Sequence, residues 1–346
     1  MLPISATLKY NIAETIRIER AVIRRRYSLL TMATPTARAT AFYAAFLSSW
    51  FGGSFITAAL ILCPVWGWFA DPKPFLACWF LYGAYRLVFP ITESEAFKKR
   101  CSFASREYFD NFEMVYDGVA QAELAGSERR LFGFHPHGIL LCGWTMAIAD
   151  ERTHAWRAAW LATKWVTIMP LVSEWMVKLG VQAVQSDNFK KLVKSGKNVC
   201  MAIGGFEEAT YFEHGKYKVF LKGRGGFVKY CLKHGYRIHP VFTFGEERTF
   251  RSVSAGLRWR LLLNKISLPG VVFLGRWLWC PFMPIPDARL TTVVGAALAD
   301  MPQIDEPTRA DVAKWARAYE DALRDLFERH RGAYAADGDE ATLEVL

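Results

Sequence analysis

The chain has no CxxC pair, no GxSxG elbow, no Walker A loop and no GxGxxG fingerprint in a setting that would support one. These absences argue against a zinc ribbon, a serine acyl-enzyme route, a P-loop and a dinucleotide fold. The seven cysteines (63, 78, 101, 142, 200, 231 and 280) are scattered, which fits a reducing compartment and no disulfide framework. No apolar core followed by a cleavage site occurs in the first 38 residues, so no cleavable secretory signal is expected there. That stretch carries seven cations (Lys9, Arg17, Arg20, Arg24, Arg25, Arg26 and Arg38) against Glu14 and Glu19. No known nucleic-acid motif accompanies the net charge of +10, and nucleic acid is therefore not an expected partner. Anionic membrane and anionic small molecules remain.

Charge is also missing from Ala39 to Ala70. A helix needs about 20 apolar residues to cross a bilayer core, so residues 41–63 are long enough to span or enter one. Pro64, Gly67 and Asp71-Pro72-Lys73-Pro74 break the run, and a second apolar stretch, Phe75 to Phe89, follows with Arg86 near its end. The expectation is a membrane hairpin over 39–90. Basic flanks on both sides, the N-terminal arm and Lys98, Lys99, Arg100 and Arg106, put both ends in the cytosol. A pair of buried core helices is the competing reading, but a buried helix rarely runs over thirty residues without a charge.

Residues 91–128 read as a connector. From Arg129, apolar runs alternate with amphipathic, glycine-terminated ones, which predicts an α/β sheet over 129–333. One βαβ unit is legible: strand Val181–Gln185, a helix capped by Ser186 or Asp187 and stopped by Gly196, and strand Val199–Ile203. After Pro307, Val312, Trp315, Tyr319, Leu323, Leu326, Phe327 and His330 form one helical stripe that Gly332 is placed to end. Residues 334–346 read as a frayed acidic tail. Leu268–Pro286, with Trp277, Trp279, Phe282 and Met283 among four prolines, suits either a membrane surface or a loop packed on the core.

Three blocks carry residue types suited to chemistry. His135-Pro136-His137-Gly138 follows the apolar stretch Leu131–Phe134. Pro136 favours extended backbone at His135, so both imidazoles are expected to reach one site, either being suited to take a proton from an alcohol. Metal binding by the pair finds no matching ligand spacing elsewhere in the sequence. Gly138 offers an amide to a developing oxyanion. Gly204-Gly205-Phe206-Glu207-Glu208 lies at a strand's C-terminal end, where α/β sheets put ligands, with Gly204 and Gly205 as further amide donors. One of Glu207 and Glu208 is expected to act and the other to be solvated. Lys222-Gly223-Arg224-Gly225-Gly226-Phe227 sits among seven cations with no acid between His214 and Gly245, and resembles a phosphate cradle.

Together these blocks resemble the type-2 diacylglycerol acyltransferase family, which includes monoacylglycerol, wax-alcohol and retinol acyltransferases. The resemblance rests on 135–138, on the Gly-Gly-x-x-Glu block at 204–208, on Arg-x-Gly-Gly-Phe at 224–227, on Pro240-Val241 and on Phe244-Gly245-Glu246. It implies a glycerolipid-acyltransferase-like mixed sheet flanked by helices and preceded by a membrane hairpin. The implied activity is transfer from acyl-CoA, a substrate and not a cofactor, to diacylglycerol, or otherwise to monoacylglycerol, a long-chain alcohol or retinol, without metal. It assigns His135, His137 and Glu208 to catalysis, Lys222, Arg224, Gly226 and Phe227 to acyl-CoA, and Pro136, Pro240, Gly245 and Glu246 to the site's frame. It places the chain in the endoplasmic reticulum membrane or on lipid droplets, and a homo-oligomer is compatible with it. The wider superfamily's aspartate five residues after the histidine is missing, for Leu140 and Cys142 stand there, and the family's proposed Phe-Leu-x-Leu lipid pattern is broken at Ser48-Ser49. A non-catalytic, membrane-shaping hairpin protein is the rival from another class.

Overall fold

The structure, a computed structural model, describes residues 36–66, 71, 73–109, 112–126, 129–253, 255–265, 270–278 and 281–346. The basic arm up to residue 35, the break at 67–70 and 72, and Pro269 and Trp279 of the aromatic segment lie outside these residues. A seven-stranded sheet organises the chain. It uses β1 (Glu113–Asp117), β2 (Arg130–His135), β3 (Ala159–Ala162), β4 (Val181–Ala183), β5 (Val199–Ala202), β7 (Arg237–Phe244) and β10 (Thr291–Gly295). Their order is β1-β10-β7-β2-β5-β3-β4, parallel throughout except between β10 and β7. Two short ladders complete the strands: β6 (Tyr217–Val219) with β11 (Leu343–Val345), and β8 (Arg251–Ser252) with β9 (Phe273–Leu274).

The two-residue period of strands sends alternate side chains to opposite faces of the sheet, and each face carries its own apolar core. Phe132, Phe134, Val241 and Val294 join the first core, with α1 (Ala37–Trp66), α3 (Glu95–Tyr108) and α4 (Cys142–Ala149). Leu131, Ile238, Phe242, Phe244 and Val293 join the second, under α6 (Ser186–Lys194), α8 (Gly226–His234) and α10 (Arg309–Tyr334). The expected stripe on α10 is where the sequence puts it: Trp315, Tyr319, Leu323, Leu326, Phe327 and His330 are buried. A capping box between Thr308 and Asp311 starts that helix, which runs past Gly332 to Tyr334.

Several sequence expectations change. The stretch read as a connector supplies α3 and the edge strand β1, so the folded unit begins well before residue 129. The legible βαβ unit exists, but its strands β4 and β5 flank β3 instead of pairing with each other. The acidic tail is not frayed: β11 pairs in parallel with β6, and the amides of Leu221 and Lys222 donate to the Leu346 carbonyl at 2.9 and 3.0 Å.

The region read as a membrane hairpin forms α1 and α2 (Lys73–Val88), and among the described residues no helix is long and apolar enough to cross a membrane. The first turns of α1 belong to the core, with Ala39, Tyr43 and Leu47 buried. The Tyr43 ring packs at a tilt on Tyr108, centroids 4.2 Å apart, and its hydroxyl donates to the Met146 sulfur at 3.0 Å. On α2 the polarity is reversed. Tyr82 and Arg86 bond inward to Glu174 at 2.7 and 2.8 Å, on α5 (Val172–Lys178), while Phe80, Leu81, Leu87 and Val88 face outward and are exposed.

Removing residues 342–346 deletes β11 and leaves β6 unpaired. Thermal unfolding of the truncated chain should report a loss of about 1–3 kcal/mol. An unchanged midpoint would mean that the terminal strand contributes nothing.

Candidate active site

Strand β2 ends at His135, and from the end of β5 the chain passes through Ile203 to the glycine pair that opens α7 (Gly205–Tyr211). The two strands are parallel neighbours, so their C-terminal ends deliver His135 and Glu208 to one place. Glu208 is buried and accepts three N–H groups. Its Oε2 faces His135 Nδ1 at 3.3 Å and takes the Phe220 amide at 2.7 Å, while its Oε1 takes the His137 amide. Three donors on one buried carboxylate are what keeps the charged form tolerable away from water.

On β2, Leu131, Gly133 and His135 share the face that lies under α10. Gly133 is small by necessity, because a Cβ there would overlap the Tyr319 hydroxyl and the Ile203 side chain. That hydroxyl lies 3.1 Å from His135 Nε2 and 3.2 Å from the Gly133 carbonyl. His135 is 0% exposed, so both of its ring nitrogens are spent on protein partners. His137 has a different setting. It is half-buried, and its Nδ1 donates to the Gly138 carbonyl at 3.2 Å, a tautomer that leaves Nε2 with its lone pair. Burial lowers its pKa below the ordinary histidine value, even though Glu208 pulls the other way.

A second buried carboxylate holds the loop from its far side. Glu246, in the turn after β7, accepts the amides of Cys142 at 3.0 Å and Gly143 at 2.7 Å at the start of α4. Gly138 has a φ of +57°, and its missing Cβ leaves room for the Glu246 carboxylate. Burial, opposed by those two amides, raises the Glu246 pKa to about 8.

The model of the family described as "Diacylglycerol acyltransferase" matches residues 75–345, which include every residue of this arrangement. The chain belongs to the diacylglycerol acyltransferase family. It is 30% identical over 245 residues to human diacylglycerol O-acyltransferase 2, covering 66% of this chain and 63% of that protein, just under two thirds of the relative's length. Human diacylglycerol O-acyltransferase 2-like protein 6 is 32% identical over 253 residues, 66% of this chain and 73% of that protein. The crystal structure of the 1-acyl-sn-glycerophosphate acyltransferase PlsC from Thermotoga maritima covers 83% of this chain and 95% of its own, at a TM-score of 0.39 and 12% identity.

The fold brings His135, Pro136, His137, Gly138, Glu208 and Glu246 together, but not in the roles the sequence suggested for all of them. The two imidazoles have unlike settings and do not line one open surface. Gly204 makes room for a side chain: a Cβ on it would overlap the Glu208 carboxylate. Gly205 turns at φ +63° beside Arg224. The acidic pair separates cleanly, for Glu208 is inside and Glu207 pairs with Arg224 at the rim. Arg224, expected to meet phosphate, also donates to the Gly204 carbonyl at 2.8 Å, so it braces the glycine turn. Phe227 is buried edge-to-face on Tyr319 at 5.2 Å, while Lys222 and Gly226 are exposed. Pro240 pairs in register with Gly133 in the sheet interior, and Gly245 turns at φ +91° against the Ala288 carbonyl. Sequence reasoning missed Gly133 and the role of Tyr319. The available signal was a hydroxyl inside an apolar helical stripe, since a buried tyrosine needs a partner for it.

Gly204→Ala should destabilise the fold by about 1–3 kcal/mol in thermal unfolding, because the new methyl displaces Glu208 from its three donors. Gly83→Ala, in a helix and with open space at its Cβ, should be neutral or stabilising by up to about 1 kcal/mol. Equal midpoints for the two variants would contradict the packing described.

Proposed function

We propose that the chain is an acyl-CoA-dependent O-acyltransferase that forms triacylglycerol from diacylglycerol by direct attack of the lipid hydroxyl on the thioester. The observation that carries this reading is the Glu208 carboxylate holding the His135 ring and the His137 backbone together, with His137 Nε2 left as the site's free base. His137 takes the hydroxyl proton as the oxygen bonds to the thioester carbon. The tetrahedral oxyanion forms against the amide of Gly138, and its collapse breaks the carbon–sulfur bond. The leaving thiolate recovers the proton from His137 and departs as CoA. His135 is a positioning residue in this scheme: locked between Glu208 and Tyr319, it fixes the strand end from which His137 projects.

Membership of the family supports the substrate classes, as do the printed names of the relatives. The exposed Lys222, Lys229 and Lys233, on and just before α8, supply positive charge for the CoA phosphates now that Arg224 is committed to Glu207. The outward apolar face of α2 supports attachment to a membrane, which we assign to the endoplasmic reticulum, with the catalytic face toward the cytosol.

The test is single-turnover transfer from labelled oleoyl-CoA, with diacylglycerol, monoacylglycerol and a long-chain alcohol offered together. His137→Ala should lower the rate by about 10²–10⁴-fold. Because the His137 pKa is lowered, the base stays neutral at neutral pH, and the acid limb of the wild-type profile should lie below pH 6.5. Wild-type-like turnover in His137→Ala would remove the mechanism, and the absence of triacylglycerol among the products would remove the acceptor.

A further inference from the structure

From Arg251 to Pro286 the sequence contains no aspartate or glutamate, against five cations: Arg251, Arg258, Arg260, Lys265 and Arg276. This stretch folds as one small subassembly. Val253 donates its amide to the Val272 carbonyl at 3.0 Å beside the β8–β9 ladder. Helix α9 (Leu257–Asn264) is tied to the same strand end, with the Gly270 amide donating to Asn264 Oδ1 and Arg260 Nη1 donating to the Gly270 carbonyl, each at 3.3 Å.

The polarity of α9 is the reverse of a surface helix in water. Its inward side is polar: Arg260 is buried and also donates to the Thr210 carbonyl at 3.2 Å, and Asn264 accepts the Thr210 hydroxyl at 3.0 Å. Its outward side is apolar. Trp259 is 76% exposed and Leu262 and Leu263 are exposed beside it, and the same subassembly also exposes Val253 and Val272 at the ladder and Leu278, at 83%. Exposed Arg251, Arg258 and Lys265 stand around it.

We propose that this surface, centred on α9, is a second membrane-docking element that lays Trp259, Leu262 and Leu263 into the interface of an anionic phospholipid bilayer. The patch offers apolar area for the acyl boundary and cations for the headgroups, with no acid in the segment to oppose them. A second copy of the chain fits less well, since a self-complementary contact across a two-fold axis brings Arg258 and Lys265 toward their own mates. The inference rests on the membrane attachment proposed above but not on the catalytic assignment. Because α9 is bonded to Thr210 on α7, docking there also sets the orientation of the helix that carries Glu208.

The experiment uses the full chain on vesicles of phosphatidylcholine, with and without phosphatidylserine, containing a phospholipid with a photoreactive acyl chain. Labelled peptides are then mapped. Labels should fall on 257–263 and 272–278 as well as on 73–89, and phosphatidylserine should increase those at 257–278. Arg258→Ala with Lys265→Ala should reduce labelling of 257–278 by about tenfold while leaving 73–89 unchanged. Labelling confined to 73–89, labelling absent from the chain, or chain-to-chain crosslinks through Trp259 in place of lipid would each overturn the proposal. Turnover is not the readout, so an inactive chain that is labelled at 257–278 keeps this inference and loses the catalytic one.

Discussion

One buried carboxylate organises the candidate site of this protein. Glu208 sits where two parallel strands end, and each of its bonds comes from a different segment: the His135 ring from the end of β2, the His137 amide from the loop beyond it, and the Phe220 amide from the chain leading toward α8. Desolvating a carboxylate costs several kcal/mol unless donors replace the lost water, so the three segments are held together by the need to satisfy that charge. The glycines around it follow from the same constraint. Gly204 leaves space for the carboxylate and Gly133 for the Tyr319 hydroxyl that closes the far side of His135. Glu246 holds the following turn from the other direction through the amides of Cys142 and Gly143, and its carboxylate packs against Gly138.

A second constraint concerns what lies outside the fold. Helices α2 and α9 each turn polar side chains inward to bonded partners and leave aromatic and aliphatic ones exposed. In water, the hydrophobic effect disfavours that arrangement. Against lipid the sign changes, and the inward hydrogen bonds then serve to aim each apolar face. The early turns of α1 do the opposite and bury Tyr43 and Leu47 in the domain.

Much of this was legible in the sequence. Strand and helix periods gave the α/β class, the α10 stripe and the pair β4 and β5, because side-chain alternation is a local property. The clustering of His135, His137 and Glu208 was legible as motif blocks, aided by resemblance. What was not legible depends on tertiary register. Nothing in the order of residues tells that β3 lies between β4 and β5, that Glu207 is taken up by Arg224, or that the terminal residues pair with β6. The partner of Arg224 was hidden for the same reason: a cation beside glycines suits an anion, and only the fold reveals that Glu207 already supplies one.

The central claim is that the Glu208 carboxylate, as an acceptor of three N–H groups, sets the catalytic geometry. Glu208→Gln tests it most directly, because glutamine keeps the shape but presents an NH₂ where a donor now points. Measured as single-turnover acyl transfer in membranes holding the folded full chain, the rate should fall by about a hundredfold or more. Wild-type turnover in that variant would contradict the account.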